Sequence, residues 1–258
     1  MLSIFKGNIL SKLQKIINFC KLLNYLFFSK TNSVRNILLK YPDYIFLNSS
    51  DFKNEILRGY FDNLPFNGQK IRKKMIDEIF LKLKPNMIVE TGTYLGNTLD
   101  YFLTFNIPTY SIEMNEKFYY IAKSRFLENK NLNLVLGDSA SFLKELKNYE
   151  DTILVYLDAH WYSKLPLNEE LEAISKFTNA IVLIDDFKVP GKNNWKYDSY
   201  NNTNLTIDSV DIPTVYKSFF PNYTPLEDGG LGTGCMLLAK GNNAIDVLSK
   251  SPYLEEFT

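Results

Sequence analysis

Acids stand where five short apolar runs end. Glu90 follows Met87-Ile88-Val89, Glu113 closes Thr109–Ile112, and Asp138 sits in Gly137-Asp138-Ser139. Asp158 begins Asp158-Ala159-His160, and Asp185-Asp186 follows Ala180–Ile184. The first acid leads into Thr91-Gly92-Thr93-Tyr94-Leu95-Gly96-Asn97-Thr98, whose two glycines lie four residues apart. A turn of this kind lets a ligand lie against bare backbone. It fails the dinucleotide fingerprint, because Tyr94 and Asn97 occupy the second and third glycine positions. Adjacent strands lie about 4.8 Å apart, so Asp158 and one of Asp185 and Asp186 can converge on a hard divalent cation. Clustered carboxylates disfavour one another's ionised form, and a cation resolves that conflict. Successive strand residues point to opposite faces, so only one of Asp185 and Asp186 ligates unless the chain turns there. His160 is the only histidine in the chain. It suits a general base for a hydroxyl acidified by a metal, or a second residue that orients Asp158.

The elements that must position these residues follow from periodicity. A helix over about Gln69–Leu83 stops before Pro85, and then apolar runs alternate with helical stretches. The predicted order is strand Met87–Glu90, helix Asn97–Phe105, strand Thr109–Glu113, helix Glu116–Glu128, strand Leu132–Leu136, helix Ser139–Leu146, strand Ile153–Asp158, helix Asn168–Phe177 and strand Ala180–Asp185. Five strands separated by four helices imply an α/β, doubly wound, mostly parallel sheet with right-handed crossovers. A long polar loop, Lys188–Thr206, carries Trp195, Tyr197 and Tyr200. A helix over about Ile212–Phe219 and a sixth strand over Gly234–Ala239 are expected to close the sheet, which the fold class puts at seven strands. Gly229-Gly230-Leu231-Gly232-Thr233-Gly234 precedes a strand and opens no helix, so it reads as a turn.

The chain divides into an N-terminal helical segment, 1–68, and a regular domain, 69–258. Net charge is zero, yet residues 1–42 hold seven basic side chains and no acid, while the remainder holds 22 basic against 29 acidic ones. Apolar residues recur at helical spacing over residues 2–28, with lysines between. Such a helix packs on the domain or on a second subunit as a homo-oligomer contact, or lies on an anionic membrane face. Its longest charge-free apolar piece is far shorter than the roughly 20 residues a bilayer needs. Two cysteines without metal-ligand spacing point to a cytoplasmic setting, and a membrane-bound form of this helix would make the chain peripheral to the inner membrane face. An acidic domain without a base-methylation signature argues against a nucleic-acid partner.

In order and spacing, residues 69–240 resemble the class I S-adenosylmethionine-dependent methyltransferases, whose first motif is an acid followed by Gly-x-x-x-Gly. The resemblance implies a Rossmann-like methyltransferase fold and S-adenosylmethionine as cofactor, held by Glu90, Thr91, Gly92, Tyr94, Gly96, Thr98, Glu113, Asp138 and Ser139. Glu113 corresponds to the acid that holds the ribose hydroxyls, and Asp138 with Ser139 to the pair near the adenine. Leu-Asp-x-His and Ile-Asp-Asp-Phe look like the metal-dependent macrocin and mycinamicin type of sugar O-methyltransferases and the cephalosporin-hydroxylase-like group. That likeness implies Asp158, Asp185 and Asp186 as ligands of a divalent cation, Mg2+ or else Mn2+ or Fe2+, with Asp158 and His160 catalytic. The metal-free alternative leaves Asp158 touching the cofactor's methionine end. The expected reaction is O-methylation of a sugar or carbohydrate-like acceptor, such as a nucleotide sugar or a surface-polysaccharide precursor. Two other readings stay open. One is a metal-dependent glycosyltransferase with an Asp-x-His motif, and the other a non-catalytic cofactor-fold partner protein.

Overall fold

The computed structural model describes residues 64–147, 150–159, 165–200 and 202–257. The helix expected over residues 2–28, with its membrane or subunit contacts, lies outside the described residues, as does His160. Helix α1 (Lys70–Leu83) leads to β1 (Met87–Thr91), α2 (Asn97–Leu103), β2 (Thr109–Glu113), α3 (Glu116–Arg125) and β3 (Leu132–Leu136). Then come α4 (Ser139–Glu145), β4 (Thr152–Leu157), α5 (Leu167–Ile174) and β5 (Asn179–Asp185). A small hairpin, β6 (Ser199–Tyr200) and β7 (Thr203–Asn204), follows. The chain closes with β8 (Lys217–Pro221), α6 (Pro225–Asp228), β9 (Cys235–Lys240), α7 (Asn242–Ser249) and β10 (Leu254–Phe257).

The main sheet has the order β10-β8-β9-β5-β4-β1-β2-β3. Strands β1 to β5 run parallel, and β9 pairs antiparallel with both β5 and β8. The reversal of strand order between β1 and β4 opens a crevice at the carboxyl edge, the usual place for a ligand in such sheets. Burial on both faces explains the nearly continuous apolar strands. Met87, Val89, Val155, Val182 and Leu238 pack on one face beneath α4 and α5. Ile88, Leu154, Ile181 and Leu237 pack on the other, against α1, α2 and α7.

Two differences from expectation have plain causes. The helix expected over Ile212–Phe219 is instead an approach to β8, because Phe219 and Phe220 fill opposite cores and so obey a period of two. The sheet has eight strands where seven were expected, because β8 stands where a helix was read and β10 adds antiparallel to it. The short 3-10 turn Pro65–Gly68 belongs to the core, where Phe66 meets Tyr101, Phe102 and Tyr156 edge-on with centroids 5.4, 5.8 and 5.6 Å away.

Candidate functional site

The glycine turn after β1 is held in three places. Gly92 has φ +80°, and a Cβ there would lie 2.4 Å from the Asp158 carbonyl oxygen, so the turn presses against the end of β4. Gly96 has φ +76°, and its Cβ would meet the Phe126 ring at 2.7 Å. From behind, Arg125 donates to the Leu95 carbonyl and, at 2.9 Å, to Asn97 Oδ1. Only glycine fits these two positions without displacing backbone or a packed ring.

Glu90 and Glu113 lie beneath and beside this turn. Glu90 is buried and accepts the Ser111 hydroxyl, which in turn meets Thr93 Oγ1 at 2.6 Å. Burial pushes its carboxyl up to about 8, with the Ser111 bond opposing and the Glu113 charge adding. Glu113 accepts the Tyr94 amide at 2.8 Å and the Asn115 amide at 2.7 Å. Burial also raises its carboxyl, and those amides draw it back down. Each carboxylate oxygen has two acceptor positions, so Glu113 retains capacity for hydroxyls after serving the backbone. Thr91 is buried in β1, and its carbonyl accepts the Asp158 amide at 3.1 Å.

Two other positions have local structural duties. Asp138 caps α4, accepting the Ser141 amide at 2.8 Å, with Ser139 buried behind it. Thr98 Oγ1 accepts the Phe66 amide at 3.2 Å and so fastens the 65–68 turn to α2. Tyr94, expected at the cofactor, has two neighbours that sequence reasoning passed over, Met114 and Leu136. Tyr94, Met114 and Leu136, each 42% exposed or more, put apolar surface at the ends of β1, β2 and β3, and Tyr94 packs on Phe118 at 4.5 Å. Read singly, each is an ordinary apolar residue at a strand end.

At the ends of β4 and β5 the carboxylates meet a cation from the protein itself. Register places Leu157 opposite Ile184, so Asp158 and Asp185 follow side by side on the α1 face. Arg72, fully buried in the first turns of α1, pairs with Asp185 and donates to the Thr233 carbonyl at 2.5 Å. Tyr156 donates from between the two acids, 2.5 Å from Asp185 Oδ2 and 3.1 Å from Asp158 Oδ2. The Asp186 amide bonds Asp185 Oδ1 at 2.8 Å, and the chain turns there, with Asp186 at φ +50°. Burial raises the Asp185 carboxyl, and the Arg72 guanidinium pulls it down.

That geometry does not fit the expected three-carboxylate cation site. Asp185 has its charge matched by a guanidinium, which stays protonated in proteins. Among the described residues no group of three or more His, Cys, Asp or Glu side chains is placed to hold a metal ion. The aromatic residues of the polar loop after β5 also divide. Trp195 is buried, packed edge-on against Tyr223 at 5.5 Å, whereas Tyr197, with Lys188 above its ring at 5.3 Å, and Tyr200 are only half-buried.

No protein-family profile and no curated protein sequence matches the chain. Solved structures do. A Staphylococcus aureus protein provisionally described as a caffeoyl-CoA O-methyltransferase superposes with TM-score 0.50 at 17% identity, over 80% of this chain and 99% of that one. The fold is the Rossmann-like methyltransferase fold. A Klebsiella pneumoniae protein, provisionally an O-methyltransferase, gives TM-score 0.48 at 13% identity over 78% of this chain and 95% of that one. In this methyltransferase fold the glycine turn, Glu90, Glu113 and Asp158 gather at the carboxyl edge where the strand order reverses.

Proposed function

We propose that the chain is an S-adenosylmethionine-dependent O-methyltransferase acting on a hydroxyl of a sugar or carbohydrate-like acceptor. One observation carries the donor. Acids Glu90, Glu113 and Asp158 ring the glycine turn at the switch point, with exposed apolar Tyr94, Met114 and Leu136 beside them. That set matches a ligand bearing ribose hydroxyls, an apolar-faced purine and positive charge at its methionine end. Glu113 would take the ribose hydroxyls, and the three apolar side chains the purine faces. Asp158 would take the ammonium group.

When bound, S-adenosylmethionine supplies an electrophilic methyl group on a sulfonium. The acceptor oxygen forms the new C–O bond as the C–S bond breaks, leaving a neutral thioether, and the hydroxyl proton passes to a base. We assign that base to His160, two residues beyond Asp158. The chain's contribution is mainly positioning in line with the sulfonium. Lys188, Tyr197 and Tyr200, on the loop after β5, offer donors and ring faces suited to a sugar. Residues 2–28 would dock this site on an anionic membrane surface, where polysaccharide precursors are assembled, or on a second copy of the chain.

The divalent cation implied by the sequence has no route through Asp185, and no step here depends on it. Methyl transfer from labelled S-adenosylmethionine, assayed against nucleotide sugars and polysaccharide precursors, tests the reading. Transfer to a sugar hydroxyl that falls at least a hundredfold in His160→Ala, the scale of general-base catalysis, is expected. Sugar turnover without methyl transfer would move the chain to the glycosyltransferase class.

A further inference from the structure

We propose that Arg72 is the built-in cation of the β4–β5 end of the site, and that Tyr156, clamped through Asp185, is the positioning residue that fixes the Asp158 carboxylate. The second half rests on the methyl-donor reading above. The first stands on geometry alone.

Asp185 has little left to offer a metal. One of its oxygens receives Arg72 and the Asp186 amide, and the other receives the Tyr156 hydroxyl. A divalent ion would have to displace a guanidinium that is wholly buried and also bonded to the Thr233 carbonyl. Arg72 is itself fastened at the backbone. Asp228, fully buried, accepts the Ile71 amide at 2.6 Å, the Arg72 amide at 3.1 Å and Gln69 Nε2 at 3.0 Å. A carboxylate from α6 thereby holds the start of α1, and α1 delivers the guanidinium to β5.

Tyr156 transmits that placement to the open edge. Its ring is locked between Phe66 and Phe102, at centroid distances of 5.6 and 5.7 Å. A phenol has one proton to share, and here two carboxylates face it. With Asp185 anchored by Arg72, the hydroxyl is fixed, and one oxygen of Asp158 is fixed with it. Asp158 is the member of the group that is not fully buried, so it is the one a ligand can reach.

Calorimetric titration of the full-length chain with S-adenosylhomocysteine, alongside melting curves, tests both halves. EDTA should leave affinity and melting temperature unchanged, and Mg2+ or Mn2+ should raise neither. A cation-dependent gain in either overturns the role of Arg72. In Tyr156→Phe the ring packing survives, and the affinity should fall about tenfold, the weight of one charge-assisted hydrogen bond. Arg72→Met should unfold at lower temperature, and Arg72→Met with Asp185→Leu should recover, since an apolar pair can replace a buried ion pair. That recovered double variant keeps a Tyr156 hydroxyl that Asp185 no longer holds in place, and should bind more weakly than wild type. Wild-type affinity in the recovered double variant or in Tyr156→Phe overturns the positioning role. A wild-type chain that binds no S-adenosylhomocysteine overturns the methyl-donor reading and the role of Tyr156 with it, while the metal titration still decides the role of Arg72.

Discussion

Glu90 shows how a single buried acid couples the site to pH. Its carboxyl is raised from 4.5 to about 8 by burial. Between those values the native chain keeps a proton that the unfolded chain releases, so the stability is fully present below pH 4.5 and is lost as pH rises through 8. Glu113, raised for the same reason, acts in the same direction. Replacing Glu90 by Gln removes the titration and keeps an acceptor for Ser111. Melting temperature followed across this range should fall less steeply in Glu90→Gln than in wild type; parallel curves would contradict the burial account. Gly92 makes a second prediction at this scale. Alanine there combines φ +80° with a Cβ 2.4 Å from the Asp158 carbonyl, so Gly92→Ala should lose about 1–3 kcal/mol in denaturant unfolding and bind S-adenosylhomocysteine more weakly. At the residue scale the places of the acids at strand ends and of the glycines in the turn were legible from type and spacing, because an apolar run broken by an acid and glycines marks where a strand stops. Arg72 was not. It lies in Lys70-Ile71-Arg72-Lys73-Lys74, where a basic residue reads as part of a solvated face, and only the packing of α1 across the sheet buries it.

At the scale of elements, α1 and the glycine-rich loop before β9 form one joint. A Cβ at Gly230 would lie 2.4 Å from the Asn67 carbonyl, and one at Gly234 2.2 Å from that of Phe187. The loop is a close-packed turn, as its place ahead of a strand suggested, and it carries the Thr233 carbonyl to Arg72. Asp228 stands at the centre of this joint. Asp228→Ala leaves the Ile71 and Arg72 amides and the Gln69 side chain without that acceptor, at a cost of about 1–3 kcal/mol, and should lower the urea midpoint accordingly. An unchanged midpoint would show that α1 is held by its apolar face alone. The parallel strands were legible to within a residue or two because apolar runs bounded by turns leave little freedom. β8 was missed because Phe219 and Phe220, adjacent in sequence, look like part of a helical stripe until each is seen in a different core.

For the whole molecule, the order of strands matters more than any one motif. Pairing β1 with both β2 and β4 brings three separate stretches, the glycine turn, Glu113 and Asp158, to one edge. That convergence could be inferred from the alternation of strands and helices. The charge balance at the edge could not, because acids at adjacent strand ends imply a missing cation equally well whether it comes from solvent or from a distant helix. No helix among the described residues is long and apolar enough to cross a membrane. Calorimetric titration of S-adenosylhomocysteine, the donor's product, into wild type and Glu113→Ala decides whether this edge holds S-adenosylmethionine. Saturable one-to-one binding of S-adenosylhomocysteine by the wild type is expected, with at least a tenfold loss in the variant, about 1.4 kcal/mol. Absence of binding at millimolar ligand, or equal affinity in the two proteins, would contradict it.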